Sequence, residues 1–210
     1  MKLFQLLQEC QQDKYRTIIT GDQSWFIYNY APEGAWVLED DNPPICQNPH
    51  HLIEKMMITI IWGVNGTYIL DELPEGEHYN SEYFIEHILR PLNEQKQTIL
   101  ESRKKKTLWL HIDNCRVHNS KVTEQEMKIL GIQRAPHPPY SPDLAPSDFF
   151  LFGYVKGKLR GSSFKTREEL YNEIFSIIND ISSQKRIEVF DEWMHRCWWV
   201  HSHEGKYFQK

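Results

Sequence analysis

From Tyr15 to Tyr30 the chain reads YRTIITGDQSWFIYNY, a run rich in β-branched and aromatic residues that predicts a strand with Asp22 inside it. Farther on, KMMITIIWGVNGTYILDEL (Lys55 to Leu73) predicts two more strands that turn at Asn65 and Gly66, the strongest hairpin signal in the chain. In NSEYFIEHILRPLNEQKQTIL, Phe84, Ile85, Ile88, Leu89 and Leu92 fall on one helical face, with Asn80 or Ser81 as the cap. TLWLHIDN is apolar on both alternating faces up to Asp113, as a strand in the middle of a sheet would be. A weak helix from about Ser120 to Leu130, ended by Gly131, then leads to a short strand at IQRA. A proline-rich connection follows, and a helix begins near Pro146, since proline suits a first helical turn. The last third is helical: TREE (Thr166 to Glu169) is a capping box ahead of Leu170, Ile174, Ile177, Ile178 and Ile181. Another helix carries Ile187, Phe190, Trp193, Met194 and Cys197, and the first dozen residues read as a helix fragment. A hairpin meander followed by strands that return through helices predicts an α/β fold. Its mixed five-stranded sheet is flanked by helices, with extra helices at the C-terminal end.

Composition narrows the class. At 210 residues with 40% hydrophobic content, one ordinary domain with a sizeable core is expected. No stretch of 18 apolar residues occurs, and the start lacks the features of a secretory signal, so a soluble intracellular protein with no membrane contact is expected. The 4 cysteines are scattered without a CxxC pair and read as free thiols. A net charge of −5 argues against nucleic-acid binding through an overall positive field, so any such contact has to be local. Two basic patches qualify: RKKK at Arg103 to Lys106, and KGKLRGSSFKTR, which carries Lys156, Lys158, Arg160, Lys165 and Arg167 and no acid. Solvated surface charge is the plain alternative for both.

Three acids stand at privileged places: Asp22 within the first strand, Asp113 at the carboxyl end of the buried fourth strand, and Asp148 beside Phe149, Phe150, Leu151 and Phe152. Each alone has an ordinary explanation, as a turn residue, a strand end or a helix cap. If the first and fourth strands are neighbours, all three converge, and three close anions repel unless cations join them. An all-oxygen ligand set suits Mg²⁺ or Mn²⁺, and two such ions activate a water or 3′-hydroxyl for displacement at a phosphodiester.

The blocks TGDQSWF, HIDNCRVHNS and HPPYSPDLAPSDFFLF, with GKYF at Gly205 to Phe208, resemble the signature blocks of mariner-family DNA transposases. The 34 residues between Asp113 and Asp148 match that family's spacing. The resemblance implies a ribonuclease H-like catalytic domain over residues 15–210. Residues 1–14 would be the remnant of a linker helix, with the family's N-terminal helix-turn-helix modules absent. It implies Asp22, Asp113 and Asp148 as catalytic metal ligands, two Mg²⁺ ions per site with Mn²⁺ able to substitute, and Asp143 as a brace of its loop. It also implies cutting at transposon inverted repeats and strand transfer into TA target DNA by a homodimer, without a small-molecule cofactor. His111, Asn114 and His118 surround the second aspartate as in similar proteins and are expected to support it or to contact DNA. Trp36, in a stretch similar to the part that reaches a partner subunit, is expected at a dimer or clamp interface. The nucleus of a eukaryote or the cytoplasm of a bacterium would be the site of action. The alternative is a non-catalytic transposon remnant, or a domesticated module that only dimerises or binds DNA.

Overall fold

The computed structural model describes residues 2–30, 54–100 and 107–208; Trp36 and the RKKK patch lie outside the described residues. The sheet has five strands in the order β3-β2-β1-β4-β5. They are β1 (Ile18–Ile27), β2 (Lys55–Gly63), β3 (Gly66–Glu72), β4 (Leu108–His111) and β5 (Ile132–Arg134). β1, β2 and β3 form the antiparallel meander, while β4 runs parallel to β1 and β5 parallel to β4. The mixed five-stranded sheet expected from the pattern is therefore present, with β1 at its centre.

Period-two alternation divides the strand residues between two cores. Ile18, Phe26, Ile58, Ile60 and Trp62 face a layer made by α1 (Lys2–Gln11), α5 (Phe152–Leu159), α6 (Arg167–Asn179) and α7 (Ser183–Ser202). Ile19, Ile61, Leu108 and Leu110 face the other layer, α2 (Ser81–Phe84), α3 (Arg90–Leu100) and α4 (Lys121–Leu130). α1 buries Leu3, Leu6, Leu7 and Cys10 and packs on α7, so the stretch expected as a linker remnant shares the main core. No helix among the described residues is long and apolar enough to cross a membrane.

Local signals act as their chemistry dictates. Ser120 caps α4 by accepting the Thr123 N–H, and Gly131 ends it at φ 61°, a left-handed conformation suited to glycine. The Thr166 side chain accepts the Glu169 N–H, while Glu169 reaches back to the Lys165 N–H, one residue before the position a strict capping box uses. Two segments depart from simple α-helix. Ile85–Leu89 and Ser147–Leu151 are π-helical turns, each leading directly into an α-helix. The second carries Asp148, so the helix expected to begin near Pro146 opens with a wider turn.

Candidate active site

Strand register brings the first two aspartates together. Thr20 pairs with His111 across the parallel β1–β4 ladder, and Asp22 and Asp113 each lie two residues further along, on the same face. The third arrives on that face from the π-helical turn, which is anchored to β2 by the Trp62 indole N–H donating to Ser147 Oγ at 3.2 Å. Asp113 and Asp148 line one open cavity of about 420 Å³ together with Asn114, Cys115, His137 and Tyr140.

The three carboxylates differ electrostatically. Loss of water around Asp22, and then the charges of Asp148 and Asp113, push it up to about 7. Asp148 is raised too, by desolvation of its base and by Asp113, against the opposing pull of Lys156. Burial also acts upward on Asp113, but the His118 imidazole and the Cys115 N–H outweigh it and hold the carboxyl down at about 2. The pattern is that of acids gathered beyond what their own hydrogen bonds compensate, leaving Asp22 and Asp148 short of positive charge.

His118 is 1% exposed, and its Nδ1 lies 2.7 Å from Asp113 Oδ1, so it acts on the aspartate and cannot reach DNA directly. His111, also 1% exposed, is likewise removed from any DNA contact. Its two ring nitrogens meet Thr20 Oγ1 at 2.9 Å and His137 Nδ1 at 3.0 Å, and its ring stands on Trp193. Asn114 is exposed and donates to the His137 carbonyl at 2.9 Å, tying two walls of the cavity together. The ligand atoms of Asp113, Cys115 and His118 lie within 4.8 Å of one another, yet the 2.7 Å contact within that group is a hydrogen bond rather than the edge of a coordination shell. The aspartates themselves are not drawn that tightly together.

Among the basic residues expected to contact DNA, Lys156 stands closest to the acids. Its ammonium donates to Ser24 Oγ at 2.8 Å, lies over the Phe26 ring and acts on Asp148. Lys158 lies over Tyr154. Arg167 departs from the expectation: it pairs with Glu72 and donates to the Leu73 carbonyl, so its charge is committed to joining α6 to β3. Lys165 and Arg167 border a separate depression with Tyr28 and Glu75. Arg160 is the C-cap residue of α5.

Two residues escaped the pattern reading. Arg134 closes β5 and donates to the carbonyls of Asp113 (2.7 Å) and His118 (2.9 Å), and also to the side chains of Asn114 and Asn119. It fixes the loop that carries the second aspartate. The available signal is an arginine within the short strand IQRA. His137 opens the HPPYSPDL block and relays His111 to the cavity; nothing in its local spacing marks it.

A mixed sheet ordered β3-β2-β1-β4-β5 between two helical layers is the ribonuclease H-like fold. The family described as Transposase (partial DDE domain) matches residues 28–109. The Mariner Mos1 transposase of Drosophila mauritiana is 28% identical over 200 residues, covering 91% of this chain and 56% of that protein. The human histone-lysine N-methyltransferase SETMAR is 31% identical over 169 residues, or 79% of this chain and 24% of that protein. The solved catalytic domain of Mos1 superposes with a TM-score of 0.77 at 20% identity, covering 99% of this chain and 92% of that one. A Mos1 paired-end complex with the left transposon end superposes at 0.85 and 21% identity, over 99% of this chain and 61% of that one. The chain is thus similar to Mos1 over most of its own length, spans 56% of that protein and 24% of SETMAR, and shares the fold of the solved Mos1 catalytic domain.

Proposed function

We propose that this chain is the catalytic portion of a DNA transposase. It would cut phosphodiesters at transposon ends and join the freed 3′ ends to TA target DNA as part of a homodimer. Asp22, Asp113 and Asp148 would hold divalent cations, Mg²⁺ or Mn²⁺. The observation that carries the reading is the gathering of three carboxylates, in which burial first and the charges of Asp148 and Asp113 second raise Asp22 to about 7 while Asp113 stays ionised. Oxygen-only donors with excess negative charge are what these hard cations require.

The three carboxylates would hold a pair of such ions between them. Bound there, divalent cations supply an activated oxygen nucleophile and stabilise the leaving oxygen. The chain's own groups do the rest. His118 and Arg134 hold Asp113 from two sides, Trp62 and Ser147 anchor the turn that carries Asp148, and Lys156 sets a positive charge near Asp148. Relatives have been solved with Mn and with Mg, and bound to transposon ends, which supports the assignment of both metal and DNA.

The test is nicking of supercoiled plasmid DNA by purified protein. Activity is expected in Mg²⁺ or Mn²⁺, lost in chelator and lost in Asp113→Ala. If wild type and Asp113→Ala give identical, metal-independent backgrounds, the reading is wrong.

A further inference from the structure

The proline-rich loop between β5 and Asp148 forms one wall of the cavity, through Pro139, Tyr140, Ser141 and Pro142. It has little regular structure of its own beyond a single 3₁₀ turn at Pro142–Leu144. A wall made of loop needs something outside it to hold it still. Every polar bond that the last residues of the described chain make toward this wall lands on the loop. The Phe208 N–H donates to Asp143 Oδ2 at 2.9 Å, and the Tyr207 hydroxyl donates to the Tyr140 carbonyl.

Arg196 of α7 completes the clamp. It is 6% exposed, its Nη1 donates to the Asp143 carbonyl at 3.2 Å, and its guanidinium lies between two rings, 4.1 Å from the centroid of Phe149 and 4.6 Å from that of Phe208. Phe149 is the residue next to Asp148. Phe208 is also held edge-on against Trp199, at 5.5 Å between ring centres. Gly205 turns the chain back at φ 84°, where its N–H caps the Val200 carbonyl, so the tail leaves α7 in a defined direction.

We propose that the segment Gly205–Phe208 is a positioning latch: by seating Phe208 on Arg196 and Asp143, it sets the cavity wall and, through Phe149, the placement of Asp148. Arg196, Asp143 and Phe208 are positioning residues under this assignment, since none of them lines the cavity. The latch concerns the loop itself; only its consequence for metal rests on the function proposed above.

Amide hydrogen exchange over Ser141–Phe149 tests the latch without reference to activity. Phe208→Ala is expected to speed exchange there by about ten-fold or more, with α6 and the β-sheet unchanged, whereas Phe208→Tyr, which keeps a ring on Arg196, restores protection. Arg196→Lys, which keeps the charge but loses the planar fork, is expected to act like Phe208→Ala. Mn²⁺ affinity, followed by calorimetry, is expected to fall by about ten-fold in the same two variants. Unchanged exchange in the loop, in folded Phe208→Ala protein, overturns the latch. Raised exchange in a protein whose wild type binds no Mn²⁺ supports the latch and removes the metal assignment instead.

Discussion

A single carboxyl shows how the acids are kept. Metal-free Asp22 ionises at about 7 in the native protein, against about 3.9 in an unfolded chain. Its folded value is the higher one, so the stability it contributes is complete below about pH 4 and is lost as the pH rises to 7. Asp113, held at about 2, works in the opposite direction: its contribution is complete above about pH 4 and is lost as the pH falls to about 2. In chelator, urea denaturation should therefore show Asp22→Asn more stable than wild type at pH 8, by an order of 2 kcal/mol, with the gap closing at pH 4. At the same scale, Arg134→Lys replaces a fork with a point donor and leaves carbonyls of the Asp113 loop unpaired. It should cost about 1 to 3 kcal/mol in the same denaturation and reduce plasmid nicking by about ten-fold or more. Asp22, Asp113 and Asp148 stand out as acids beside apolar runs, but only the resemblance to the mariner blocks chose Asp148 over the equally acidic Asp143. Arg134 and His137 do not stand out, because their work depends on neighbours distant in sequence.

At the level of elements, the meeting of β1 with its neighbours sets the tolerances. Gly21 precedes Asp22, and a Cβ there would lie 2.2 Å from Ile61 Cδ1 and 2.8 Å from the Ile60 carbonyl. A flexible side-chain tip can yield, but a ladder carbonyl cannot, so Gly21→Ala should cost about 1 to 3 kcal/mol by thermal melting and weaken Mn²⁺ binding through Asp22. The strands and helices were legible because alternation and capping are local: Asn65–Gly66, Ser120, Gly131 and Thr166 each act where their chemistry points. The two π-helical turns were not, since no residue or spacing in Ser147–Leu151 tells a widened turn from an ordinary one. Nor did the basic run from Lys156 to Arg167 betray that Arg167 turns inward to Glu72 while Lys156 turns toward the acids.

On the scale of the whole molecule, cation binding and folding should be coupled. Mn²⁺ at 100 times its dissociation constant should raise stability by about 2.7 kcal/mol in wild type, and Asp148→Ala should erase that gain in calorimetric melting. A mixed sheet was foreseeable from the meander and crossovers, while the pairing of β4 with β1 was only a condition and the docking of α1 on α7 was not legible, because an amphipathic helix does not name its partner. α7 carries a further implication. Trp193 supports His111 beneath the acids, and Arg196 steadies Phe149, yet both stand near the far end of the polypeptide. A ribosome releases them after every strand has already emerged, so a half-made molecule has its acids but not their final alignment. The nicking proposed above is therefore expected only of chains carried past this helix, and plasmid assays of chains ended before Trp193 check it.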